Sequence, residues 1–227
     1  MSARERELWS AGPNRLLRCR HGAMLFNRHD MYIGRSLEVY GEFSELEVKL
    51  FEQVLRPGMT VVEAGANIGA HTVVFGQRVG PAGCVYAFEP QRLVFQTLCA
   101  NVALNGLTNV VVRQSGLGAS PGTMRVPLLP TDQTENFGGV SLSDSAVAAE
   151  GTEAVSIETI DACGLKACHF LKVDVEGMEL DVLRGGEQVL RTCRPIIYVE
   201  NDRAERSPPL IEFLQSLGYR LYWHLPP

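Results

Sequence analysis

No apolar run in the 227 residues approaches the roughly 18–20 that a helix needs to cross a bilayer, so no membrane span is expected. The charged stretch Met1 to Glu7 is followed by no apolar segment of the kind that marks a secretory signal. The six cysteines, at 19, 84, 99, 163, 168 and 193, include no C-x-x-C pair. Cys163 and Cys168 have no histidines at zinc spacing. All six read as reduced thiols of a cytoplasmic protein. Basic excess is also lacking. The net charge of −5 argues against a nucleic-acid partner. Residues 1–40 run the other way, with seven Arg against four acids, which leaves −8 on the rest. That excess reads as a solvated face, with a site for an acidic or phosphorylated ligand as the alternative.

What is present divides into three kinds of segment. Residues 15–40 alternate short apolar runs (Leu16-Leu17, Met24-Leu25-Phe26, Met31-Tyr32-Ile33) with turn residues, which predicts a small β-meander. We therefore set 1–40 apart as an N-terminal extension and 41–227 as the main domain. Residues 44–55 read as a helix, with Ser44 and Glu47 as a capping box and Phe43 and Val48 as a hydrophobic staple. Leu46, Leu50, Phe51 and Val54 repeat at helical spacing until Arg56-Pro57-Gly58 stops them. From Thr60 strands alternate with helices. Strands are expected from Val61, at Cys84–Phe88, Val110–Val112, Phe170–Val175, Ile196–Val199 and Tyr219–Trp223. This alternation predicts a parallel α/β sheet covered on both faces. The stretch 116–169, rich in Gly, Ser, Pro and Thr, predicts a short hairpin and a mobile loop.

Four motifs carry chemistry. The first is Glu63-Ala64-Gly65-Ala66-Asn67-Ile68-Gly69, between a buried strand and a helix. A dinucleotide fingerprint counted from Gly65 needs glycines at 67 and 70, where this chain has Asn67 and Ala70. The motif suits a nucleoside ligand without a pyrophosphate, with Glu63 available to an ammonium group. The alternative is a plain strand-to-helix turn. The second is Phe88-Glu89-Pro90, ending the next strand. An acid there is placed to accept both hydroxyls of a ribose, or only to favour a helix N-terminus. The third is Lys172-Val173-Asp174-Val175-Glu176-Gly177. Strand alternation sends Lys172, Asp174 and Glu176 to one side. Charges at the end of a central strand are costly unless used, although a structural salt bridge from Lys172 is the alternative. The fourth, Glu200-Asn201-Asp202, ends the fifth strand as an acceptor-side group or a polar loop start.

Together with Asn101 to Asn105 and Asn136-Phe137-Gly138-Gly139, these motifs resemble the FkbM family of S-adenosylmethionine-dependent methyltransferases, over about residues 40–205. The resemblance implies a Rossmann-like class I methyltransferase sheet of order 3-2-1-4-5-7-6. It implies O-methylation of a hydroxyl on a sugar, polysaccharide or secondary metabolite. It further implies that Gly65, Ala66, Asn67 and Gly69 line the methionine end of the cofactor, and that Glu89 binds the ribose. Gln114-Ser115-Gly116 would lie at the adenine. Asp174 and Glu176 would face the sulfonium and the acceptor. Position 63 departs from the family, which usually has Asp there.

In such a reaction Asp174 or Glu176 is the expected base or acceptor-orienting group. A metal-assisted variant would use Asp174, Glu200 and Asn201 around Mg²⁺. Two other classes stand beside it: a non-catalytic cofactor-binding or scaffold protein, and an NAD(P)-dependent oxidoreductase. The acceptor's identity is not legible. Only four residues follow Trp223, so strand 7 is expected to be missing or the chain to be a truncated form. In the first case Ile196–Val199 pairs directly with the last strand or stays an edge, which invites a homodimer.

Overall fold

The computed structural model describes residues 3–128, 130–134, 136–137 and 151–225. The Gly138-Gly139 pair and the core of the expected mobile loop lie outside the described residues. A one-turn helix α1 (Ala3–Arg6) leads into an antiparallel sheet of β1 (Glu7–Ala11), β2 (Asn14–Cys19) and β3 (Gly22–Asn27). The expected third apolar run of the meander, Met31-Tyr32-Ile33, instead leads into helix α2 (Ile33–Val39). The Asp30 carboxylate explains this, because it accepts the backbone N–H groups of Tyr32 (3.1 Å) and Gly34 (2.9 Å) and so starts the turn. Ile33, Gly34 and Leu37 then bury one helical face.

Helix α3 (Glu45–Val54) forms as expected, but the capping box does not. Ser44 is left-handed, with φ 51°, and its side chain caps nothing. Glu47 turns instead to the hydroxyl of Tyr198, 3.0 Å away. The face buried is Val48 and Phe51, while Leu46 is exposed.

The chain continues as β4 (Thr60–Ala64), α4 (Ala70–Val79), β5 (Cys84–Phe88), α5 (Arg92–Leu104) and β6 (Val110–Arg113). The inserted strands β7 (Ser115–Leu117), β8 (Gly122–Pro127) and β9 (Thr152–Glu158) follow and make a small sheet of order β7-β9-β8. The last elements are β10 (Phe170–Val173), α6 (Glu179–Arg184), α7 (Glu187–Cys193), β11 (Ile196–Val199) and α8 (Ser207–Ser216). The helical stretch from Leu180 to Leu190 is thus two helices, broken at Gly185-Gly186.

The main sheet has the order β11-β10-β4-β5-β6, and all four pairings are parallel. Period-two alternation divides its residues between two cores. Val62, Ala64, Leu171 and Val173 pack with Leu183, Leu190 and Leu214 under α6 to α8. Val61, Val85, Ala87 and Phe170 pack with Phe51, Phe75 and Leu98 under α3 to α5. The expected strand at Tyr219–Trp223 is absent. Tyr219 belongs to the end of α8, where its N–H donates to Leu214 O (3.1 Å), and Tyr222 and Trp223 are exposed and pair with no ladder. Among the described residues β11 is therefore the sheet's edge. No helix among the described residues is long and apolar enough to cross a membrane.

The N-terminal strands are seated on the main domain by two asparagines. Leu17, Met24, Phe26 and Leu37 pack with Ile68, Val73 and Val94. The Asn101 amide accepts from Leu25 N (2.6 Å) and donates to Leu25 O (2.9 Å) and Ile68 O (2.7 Å). One helical turn later Asn105 treats Ala23 the same way, at 3.0 and 2.8 Å. Ala23 and Leu25 are two apart, so their backbone groups point to one strand edge, and the amides stand in for a neighbouring strand. Asn101→Ala should cost about 2–4 kcal/mol, since buried backbone groups lose their partners. Urea denaturation checks this, and a loss under about 0.5 kcal/mol, the scale of a neutral surface change, would show that the amide is dispensable.

Candidate active site

The order of strands reverses between β4 and β10, and in such sheets the crevice beyond their carboxyl ends takes the ligand. Its lining here includes Gly65, Glu89, Gln91, Gly116, Asp174 and Glu176. The loop after β4 makes room for it by unusual backbone geometry. Gly65, Asn67 and Gly69 all have positive φ, at 79°, 51° and 87°. A Cβ on Gly65 would stand 1.8 Å from the carbonyl oxygen of Asp174, so only glycine lets the two chain segments pass. Asn67 tolerates the left-handed conformation, and its side chain accepts from Ile68 N at 2.7 Å. The amides of Gly65 and Ala66 are not free for a ligand, since both donate to Phe88 O (3.1 and 2.9 Å). Ala66 itself is buried in the core.

Glu89 follows directly on β5 and is 4% exposed. It accepts the N–H groups of Asn67 (3.0 Å) and Gln91 (2.9 Å). Burial, only partly offset by those amides, pushes it up to about 7. Gln91 beside it was not singled out from the sequence. Its Nε2 donates to Phe137 O (3.2 Å), and its buried Oε1 has no hydrogen-bond partner among the described residues. An orphaned acceptor in a crevice wall is open to a donor from a ligand or a water. The Gln two places after the strand-ending acid was the available signal.

The other expected residues separate. Asp174 lines the crevice, and Lys172 Nζ donates to its carboxylate at 2.9 Å. Strand β10 ends at Val173, so alternation does not carry Glu176 to the same row as Asp174. Glu176 sits on a left-handed turn, φ 55°, and accepts from Arg203 at 2.9 Å. Glu63 lies beneath the crevice, 1% exposed, where it accepts from the Thr72 hydroxyl (2.6 Å) and burial pushes it up to about 7. Gly116 lines the crevice, but the Ser115 hydroxyl donates to Glu158 (2.7 Å), which Arg113 also holds at 2.7 Å. Gly69 is the entry to α4. Glu200 ends β11 beside Asp174, and burial first, then the charge of Asp174, pushes it up to about 8. Asn201 donates to the Ser207 hydroxyl at 2.9 Å. Among the described residues no group of three or more His, Cys, Asp or Glu is arranged to hold a metal ion, so the Mg²⁺ alternative gains no support.

Comparison with known proteins meets this geometry. Residues 63–221 match the family described as Methyltransferase FkbM domain. The chain is 32% identical over 143 residues to Methyltransferase 1 of Beauveria bassiana, covering 55% of this chain and 57% of that protein. It is 31% identical over 189 residues to Methyltransferase sdnD of Sordaria araneosa, covering 70% and 73%. It is 28% identical over 147 residues to Hexuronic acid methyltransferase AglP of Haloferax volcanii, covering 60% and 53%. The chain thus spans little more than half the length of two of these relatives. The matched stretch runs from the buried Glu63 through the Gly65 turn, Glu89 and Asp174 to the end of the sheet, and on it the chain belongs to the FkbM methyltransferase family.

Proposed function

We propose that the chain is an S-adenosylmethionine-dependent O-methyltransferase acting on a hydroxyl of a sugar, polysaccharide or secondary metabolite. One observation carries this reading: a single crevice joins the buried carboxyl of Glu89 to the half-exposed carboxylate of Asp174 across a turn where Gly65 leaves no room for a side chain. The residues fit the cofactor. Glu89 suits two ribose hydroxyl donors, the orphaned Gln91 Oε1 suits a further donor, and Asp174 suits a neighbouring cation. When bound, S-adenosylmethionine supplies a methyl group activated by its cationic sulfur. Asp174 orients the acceptor hydroxyl and takes its proton. Arg203 and Arg206 hold the Glu176-Gly177 turn at the rim, through the Glu176 carboxylate and the Gly177 carbonyl. The name of the relative that methylates hexuronic acid supports a sugar-like acceptor.

Calorimetry with S-adenosylmethionine, S-adenosylhomocysteine and NAD, followed by a tritiated-methyl screen against sugar and metabolite pools, tests the reading. A preference for NAD would return the oxidoreductase class. Tight S-adenosylhomocysteine binding without transfer to any acceptor would favour the scaffold. Glu89 gives a sharper expectation. Glu89→Gln should weaken S-adenosylhomocysteine binding by about 1–3 kcal/mol. Ribose hydroxyls favour the ionised acid, and Glu89 sits near 7 in the free protein. Affinity should therefore fall as pH drops below about 7, while the Gln variant stays flat across that range. A wild type with the same affinity on both sides of that pH would remove Glu89 from the ribose.

A further inference from the structure

Lys172 stands in register between Glu63 on β4 and Tyr198 on β11. Residues in register on parallel strands share a face, so the three make a polar row on the face otherwise packed by Phe51, Phe75 and Phe170. Helices α3 and α4 cover that row with Glu47, His71 and Thr72. Tyr198 donates to Glu47 (3.0 Å), Thr72 donates to Glu63 (2.6 Å), and His71 Nε2 lies 3.6 Å from Glu47. His71 is neutral, because burial pushes it down to about 3. The ammonium does not stay within the row. It bonds Asp174, one pleat nearer the crevice, at 2.9 Å, and its own side chain is 3% exposed where that of Asp174 is 41% exposed.

We infer that Lys172 is a positioning residue of the methyl-transfer site, holding Asp174 as an ionised carboxylate turned into the crevice. The inference rests on reading the crevice as the S-adenosylmethionine site. A buried ammonium is costly without partners, and here it faces Glu63 within the row but makes its hydrogen bond to Asp174 outside it. That hydrogen-bonded partner lines the crevice, whereas Glu63 lies beneath it. Asp174 in turn stands beside Glu200, whose carboxyl hydrogen-bonds it and favours its ionised form. Burial works against its charge, but the ammonium, the largest of the opposing causes, outweighs it and keeps Asp174 below the ordinary carboxylate range. Burial likewise works against Lys172, and Asp174 with Glu63 outweighs it, so the lysine stays above its ordinary value.

The test compares S-adenosylmethionine, with a cationic sulfur, and S-adenosylhomocysteine, with a neutral one, by calorimetry as pH is raised from mildly acidic to alkaline. In Lys172→Met the affinity ratio should move about tenfold toward the neutral ligand near neutral pH, a modest share of one close charge interaction. It should recover as pH rises and Asp174 ionises unaided. Asp174→Asn should show the same change without recovery. Losing the ammonium leaves Glu63 unpaired, so Lys172→Met with Glu63→Gln serves if the single variant does not fold, and it should show the same shift and recovery. A lysine that only supports the fold would weaken both ligands alike with no pH recovery, and that result overturns the proposal alone. A folded wild type that binds neither ligand would overturn the reading of the crevice, and the proposal with it.

Discussion

Asp174→Asn should slow methyl transfer by about 10²–10⁴-fold while the protein stays folded, the range lost when a positioned base is removed. Asparagine keeps the shape of the side chain but has no negative charge and takes no proton. The fold survives because Glu63, in register with Lys172, remains as a counter-charge for the buried ammonium. Glu176→Gln is the comparison. Its carboxylate is held by Arg203 on a left-handed turn, away from the row of Asp174, and its loss should cost about tenfold or less, the scale of a partly exposed ion pair. Single-turnover rates at saturating donor, with circular dichroism melts beside them, separate the two. An Asp174→Asn variant that retains a tenth of wild-type turnover would take Asp174 out of the chemistry.

Gly65→Ala should abolish donor binding and cost about 2–6 kcal/mol of stability, adding backbone strain to a steric clash. The residue has φ 79°, where an L side chain is strained, and its new Cβ would meet the Asp174 carbonyl oxygen at 1.8 Å. Neither side yields cheaply, because the carbonyl is backbone and the Cβ is fixed rigidly to backbone, at the ends of adjacent central strands. Moving them apart displaces Asp174, so binding should fail even in molecules that fold. Gly106→Ala is the control, with φ 64° but nothing within 4 Å of the added carbon. It should show the strain alone, about 1 kcal/mol. Denaturation midpoints and calorimetry give both quantities. Equal costs at the two positions would mean that the close approach to Asp174 is not what requires glycine.

Much of the fold was legible along the chain. The runs at Val61–Val62 and Cys84–Phe88 are short, apolar and bounded by turn residues, and they form β4 and β5. The spacing of Gly65 and Glu89 brought both to one crevice, because a strand, a turn and a helix of ordinary length place the next strand alongside in only one way. Local signals failed where two readings of the same residues competed. Met31-Tyr32-Ile33 has strand composition, yet the Asp30 carboxylate starts a helix there. Tyr219–Trp223 has strand composition too, but among the described residues no strand offers it a ladder.

The site's electrostatics were decided elsewhere. Lys172, Glu63 and Tyr198 are far apart in sequence and meet only through the register of three strands. Ser115, expected at the ligand, has its hydroxyl engaged by Glu158, a residue of a strand inserted much later. Asn101 looks like one polar residue on a helix until Leu25, 76 positions away, is laid beside it. Propensity and periodicity act between neighbours along the chain, so the sequence by itself determined which segments are strands, which are helices, and which acids end the strands. Burial, counter-charge and hydrogen-bond partners depend on which segments are packed together. Only the tertiary structure decided that Glu63 lies beneath the crevice, that Glu176 is tied to Arg203, and that Asp174 is held facing the crevice by Lys172.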